Sequence, residues 1–162
     1  MPFDRDEIDQ AVRRYIATRD EVCAGKGSWD LLAQFFTDDA VFVDPAWGRV
    51  EGLDAIRESV LGPAMAGLDD WTFPTDFYAI ADDGETVVVK WRQQFPGSDG
   101  RLYEQSGCST LVYAGDGKFR YEEDLLNMGH ALEDMKASGW RPTGPMHAVP
   151  ERPNRDFSRP ES

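Results

Sequence analysis

The sequence predicts an α+β domain, and three observations predict it. The N-terminal part places apolar residues at three- and four-residue steps, as on one face of a helix. From Trp71 onward the period changes to two, in four segments joined by glycine-bearing turns. Helices come first and an antiparallel meander follows, an order that packs helices on one face of a curved sheet.

The first helix starts at Phe3-Asp4-Arg5-Asp6-Glu7-Ile8. Asp4 is placed to cap it, Glu7 to reach back to the cap, and Phe3 to staple onto Ile8. Ile8, Val12, Tyr15, Ile16, Arg19 and Cys23 then form one stripe that ends at Gly25. Ser28 can cap a shorter helix with Trp29, Leu32, Ala33 and Phe36 on its apolar side. A strand from Ala40 to Asp44 follows, with a short return at Arg49-Val50-Glu51. Leu53 to Leu61 suits a third helix, stopped by Gly62-Pro63.

The meander consists of Trp71–Ala81, Thr86–Phe95, Leu102–Tyr113 and Lys118–Leu126. Its joints are Asp83-Gly84, the Pro96–Gly100 loop and Gly115-Asp116-Gly117, all strong turn signals. Asn127 to Ser138 reads as a closing helix with Gly139 as its stop. The expected domain is residues 1–138. Residues 139–162 read as a Pro-rich tail, either disordered or draped over a neighbour.

At 162 residues the chain is long enough for one domain with a real core. A net charge of −13 argues against nucleic acid, which needs clustered Lys and Arg, and against an anionic membrane surface. Cys23 and Cys108 are too few for a disulfide framework and are not spaced as metal ligands. No grouping of residues suggests a metal, and no glycine-rich strand-to-helix turn suggests a nucleotide cofactor. With no secretion signal and no membrane-length apolar run, a cytoplasmic protein is expected.

Two stretches carry more than packing. "FFTDDAVFVDPAWGRVEGLDAIR", residues 35–57, ends a buried strand on a carboxylate, Asp44, followed by Pro45 and Trp47. "YAGDGKF", residues 113–119, is the turn from which the last strand is counted. With the order of helices and strands around them, these stretches resemble the nuclear transport factor 2-like superfamily over about residues 6–138. That superfamily, which includes ketosteroid isomerases, scytalone dehydratase, limonene epoxide hydrolases and SnoaL-like polyketide cyclases, implies a cone-shaped curved sheet wrapped around a long N-terminal helix. It does not fix a function, because enzymes and binding modules share the scaffold.

Carried over residue by residue, the resemblance places the isomerases' general base at Asp44 and their oxyanion-hole tyrosine at Tyr15. The position of their second oxyanion donor holds Ser109, a weaker donor than a protonated Asp. A catalytic Asp of the epoxide hydrolases aligns with Asp124. Their inward Arg and Asp align with Trp91 and Gln93, so that triad is missing. Nothing matches the histidine pair of scytalone dehydratase.

Read from alternation alone, Glu122, Asp124 and Leu126 face inward from the last strand, and a slip of one residue would turn them out. Trp91 and Gln93, Gln105 and Ser109 face the same interior, with Gly107 leaving room for a ligand. Trp47 would roof the opening, and His130 would rim it. Each has a plainer alternative: Asp44 as an Asx turn before Pro45, Tyr15 as a core aromatic, His130 as surface.

The resulting expectation is a cofactor-free acid–base enzyme for an apolar, oxygenated small molecule. Asp44 acts as base, Tyr15 and Ser109 as hydrogen-bond donors, and Asp124 with Glu122 as a second acid–base element. The reactions in view are isomerisation, dehydration and cyclisation. The competing expectation is a non-catalytic binding or dimeric interaction module, which would fill the cone with side chains. Family likeness implies a homodimer through the outer sheet face, here Tyr121, Leu125 and the polar side of the second long strand.

Overall fold

A computed structural model describes residues 3–161. Helix α1 spans Arg5–Cys23, and Asp4 caps it by accepting from the amides of Asp6 and Glu7. Glu7 does not reach back to the cap; its carboxylate accepts from the Tyr113 hydroxyl at 2.7 Å. Phe3 packs edge-on against Tyr113, pinning the helix start to the sheet. The stripe read from the sequence is the buried one, with Ile8, Val12, Tyr15 and Arg19 all inside.

The short helix after it is a 3-10 helix, Trp29–Phe35, and β1 begins directly at Phe36 rather than Ala40. Strand β1 (Phe36–Asp44) turns at Asp44–Trp47 into β2 (Gly48–Glu51), and α2 covers Leu53–Glu58. Pro74 delays β3 to Thr75–Ile80, leaving an isolated bridge between Thr72 and Gln94 upstream. Strands β4 (Thr86–Pro96), β5 (Leu102–Gly115) and β6 (Lys118–Leu126) form the long meander, closed by α3 (Met128–Ser138) with left-handed Gly139 after it.

The sheet order is β2-β1-β6-β5-β4-β3. Every joint is antiparallel except β1 with β6, which run parallel. The parallel joint is a long-range pairing, invisible to local pattern. It sets Phe42 beside Glu122 and Val43 beside Glu123, bringing the end of β1 next to the end of β6.

Strand β6 keeps strict alternation only after a bulge. Phe119 pairs with Tyr113 and Tyr121 with Val112, so Arg120 is the extra residue. Phe119 is therefore in the core, and the inward Glu122, Asp124 and Leu126 that follow line the cavity beside it. Inward residues at both parities are what a single-residue bulge produces.

The core lies between α1, the 3-10 helix, α2 and the concave face of the sheet. A satellite cluster stacks Trp71 on Phe95, with ring centroids 4.7 Å apart, and sets Trp140 against both. Trp140 fixes the start of the tail. Residues beyond it cross the cavity mouth and then pass over the sheet's outer side, where Arg49 N–H donates to Asn154 and the Tyr121 hydroxyl to Phe157.

At Gly48, whose φ of 77° suits glycine, a Cβ would meet the Asn154 carbonyl at 2.4 Å. The tail thus covers an outer apolar patch of Val41, Val43, Val112 and Tyr121. Tyr121, expected in a dimer face, is 1% exposed and is covered by its own chain. Leu125 remains open at 59%. Among the described residues, no helix is long and apolar enough to cross a membrane.

Candidate active site

The wide end of the cone holds a cavity of about 280 Å³, near the lower end of the roughly 300–1,000 Å³ common for ligand pockets. Its wall is largely aromatic and aliphatic, with Trp29, Phe42, Trp47, Trp71, Phe73 and Trp91 among the lining. The tail contributes Met146, His147 and Val149 at the mouth. Polar groups enter from two sides: Tyr15 and Arg19 from α1, and Asp44, Gln93, Glu122 and Asp124 from the sheet.

Asp44 closes the turn after β1 and also lines the cavity. The amides of Ala46 and Trp47 donate to its Oδ1 at 2.8 and 2.7 Å, closing an Asx turn ahead of β2. Both bonds fall on one oxygen, so the turn aims the carboxyl without using Oδ2. Burial pushes its pKa up, and the two amides pull it partly back.

Glu122 and Asp124 stand two residues apart on the inner face of β6, close enough to hydrogen-bond to each other. Glu122 is 1% exposed. Burial, and then the neighbouring Asp124 charge, raise its pKa well above the usual carboxylate range. Asp124 is raised to about 6, by burial first and by the charge of Asp44 as well. Two like charges on neighbouring carboxyls are costly to form together, so ionising one member of the pair raises the cost of ionising the other.

The two expected oxyanion donors are already engaged. The Tyr15 hydroxyl donates into the Glu122 carboxyl, 2.9 and 2.8 Å from its two oxygens. Burial and the adjacent Glu122 charge raise the Tyr15 pKa well above 10.0, keeping the phenol protonated. Ser109 accepts from the Trp91 indole N–H at 2.8 Å and donates to Asp124 Oδ1 at 2.5 Å. It stands behind Asp124, outside the lining. Both hydroxyls are therefore engaged with carboxyls in this structure.

Gly107 does not leave space for a ligand. A Cβ there would fall 2.1 Å from Trp91 Cζ3, so the indole lies directly over the missing side chain. Gln105 is buried behind the wall: it accepts from Gln93 Nε2 and donates to Asp134, tying β4 and β5 to α3. His130 is exposed on α3 and does not line the cavity, whereas His147 from the tail does. Trp47, Trp91, Gln93 and Leu126 line it, as expected from the sequence.

Two contributions escaped the sequence reading. Arg19 shows in the sequence only as a charge within an apolar stripe. The tail residues carried no signal, since their approach depends on Trp140 docking far from the cavity residues in sequence.

No curated protein matches the chain in sequence. Solved structures match it in fold. A SnoaL-like protein of the polyketide cyclase type from Jannaschia sp. CCS1 superposes with a TM-score of 0.63 at 18% identity, over 86% of this chain and 99% of that one. SalBIII, an epoxide hydrolase/cyclase-like enzyme in pyran ring formation in polyether salinomycin, gives 0.61 at 18% identity, over 78% and 95%. TerC, co-crystallised with polyporic acid, gives 0.59 at 18% identity, over 80% and 98%. At this identity the three establish the cone fold and no activity. The SnoaL-like domain model matches residues 12–122, which run from within α1 to Glu122 and hold Tyr15, Arg19 and Asp44. The chain belongs to the SnoaL-like domain family.

Proposed function

We propose that this chain is a cofactor-free acid–base enzyme that moves a proton on an apolar, oxygenated small molecule, in an isomerisation, dehydration or cyclisation. The observation that carries the reading is the placement of three carboxyls, Asp44, Glu122 and Asp124, on the wall of one aromatic cavity, where burial raises the pKa of each. Environments that push carboxyl pKa values apart assign acid and base. Asp44 acts as base, and its charge helps hold a proton on Asp124, part of the Glu122–Asp124 pair that acts as acid. The largely apolar wall limits water around a bound ligand. An open cavity supports a ligand-binding protein over a filled interaction module. Pairing of two copies would use Leu125 and the outer side of β4, since the tail already occupies Tyr121.

The test needs no knowledge of the product. Enolisable aryl ketones, 1-tetralone and 2-tetralone, are incubated with the chain in D2O, and loss of the α-proton signal is followed by NMR. The native chain should exchange the α-proton, and Asp44→Asn should slow exchange by about 10²-fold or more. Equal rates in the two proteins would exclude Asp44 as base. Tight ketone binding without exchange would mark a carrier.

A further inference from the structure

Arg19 projects from α1 one turn after Tyr15 and lines the cavity with its side chain 5% exposed. Its Nη2 donates to Thr75 Oγ1 at 2.5 Å, while its buried Nε has no partner among the described residues. No carboxylate among those residues lies within ion-pair distance of it. A buried guanidinium with an open N–H is costly unless an acceptor arrives. The Tyr15 hydroxyl is already bound to Glu122, and the other unpartnered buried donor on the lining among the described residues, the Trp71 indole N–H, is neutral and lacks the guanidinium's charge.

We infer that Arg19 binds the ligand's acidic oxygen (a carbonyl that becomes an enolate, or a phenol that becomes a phenolate) and that the ligand is a flat aromatic molecule. The shape follows from the walls. Phe73 stands edge-on between Trp29 and Trp91, with centroids 5.6 and 5.8 Å away, and rings of this kind favour a planar aromatic partner. The charge follows from the balance inside. With one proton on the Glu122–Asp124 pair and Asp44 ionised, two negative charges face the single positive charge of Arg19, so a neutral ligand fits better than a permanent anion, and Arg19 meets negative charge that develops on its oxygen. Planar guanidinium donors suit such an oxygen, and their charge strengthens as the oxygen's does.

The inference deepens the proposed function, and rests on its ligand-binding half alone. The experiment uses 2-naphthol, whose ionisation is seen in absorbance, and naphthalene, which lacks the oxygen. Bound to the native chain, 2-naphthol should ionise at a lower pH than in buffer. Arg19→Gln should abolish that shift and weaken 2-naphthol about tenfold, while naphthalene affinity stays within about twofold. Arg19→Lys should keep the shift with reduced affinity, since it retains the charge and loses the planar fork.

A merely structural arginine would weaken both probes alike, and that result overturns the assignment. So does a native chain in which bound 2-naphthol ionises no more readily than free, a measurement that stands even if the variants do not fold. Naphtholate stabilisation without deuterium exchange in the tetralones would leave Arg19 correct and the catalytic reading wrong; exchange without stabilisation would do the reverse.

Discussion

Replacing Asp124 with Asn should make the protein more stable at neutral pH and less active. The side chain keeps its shape, and Asn Oδ1 can still accept from Ser109, whose present bond to Asp124 is 2.5 Å. What disappears is a carboxylate that the fold holds at a pKa of about 6, against about 3.9 in an unfolded chain. A raised carboxyl binds its proton more tightly in the native state. Its favourable contribution is therefore complete below about pH 4 and is lost as pH rises to about 6.

Two pKa units correspond to about 3 kcal/mol of native-state cost once the group is ionised. Asp124 is only half-buried and opens onto the cavity, so about 1–3 kcal/mol is the expected gain from Asp124→Asn above pH 7. Urea titrations of both proteins at whole pH units from 4 to 8 measure it. The stability difference should be small at pH 4, grow through pH 4–6 and level off above 7. A variant less stable at pH 8, or a difference independent of pH, would refute the account of Asp124 as an acid whose pKa the fold raises.

Gly107→Ala drives a methyl into Trp91, 2.1 Å from Cζ3. It should cost about 1–3 kcal/mol in chemical denaturation and shift the indole into the cavity, seen as altered tryptophan emission and weaker naphthalene binding. Truncation after Thr143 removes Met146, His147 and Val149 from the cavity mouth and uncovers Val41, Val43, Val112 and Tyr121. Weaker probe binding and concentration-dependent self-association in sedimentation are expected. A monomeric, fully binding truncation would show that the tail is passive.

Much of this architecture was legible along the chain because its signals are local. The stripe from Ile8 to Arg19, the Asp83-Gly84 and Gly115–Gly117 turns and the alternation of β4 and β5 each depend on residues a few positions apart. Asp44, Glu122 and Asp124 were legible as candidates for the same reason: a carboxylate on an apolar face is anomalous wherever it appears. The bulge at Arg120 and the late start of β3 at Thr75 were not, since both are adjustments of one strand to its partners.

What each polar group does was decided at long range. Tyr15 meets Glu122 across 107 positions, a separation no periodicity reports. That contact, with the Trp91–Ser109–Asp124 relay, sets the Tyr15 and Ser109 hydroxyls against carboxyls, while the Arg19 Nε and the Trp71 indole N–H have no partner among the described residues. The tail's place over Tyr121 rests likewise on contacts such as Tyr121 with Phe157. The amino-acid order determined which residues are anomalous for their positions, because burial pattern and side-chain chemistry are written residue by residue. Only the tertiary structure decided which of them share protons, because a hydrogen bond needs atoms within about 3 Å and sequence distance says nothing about that.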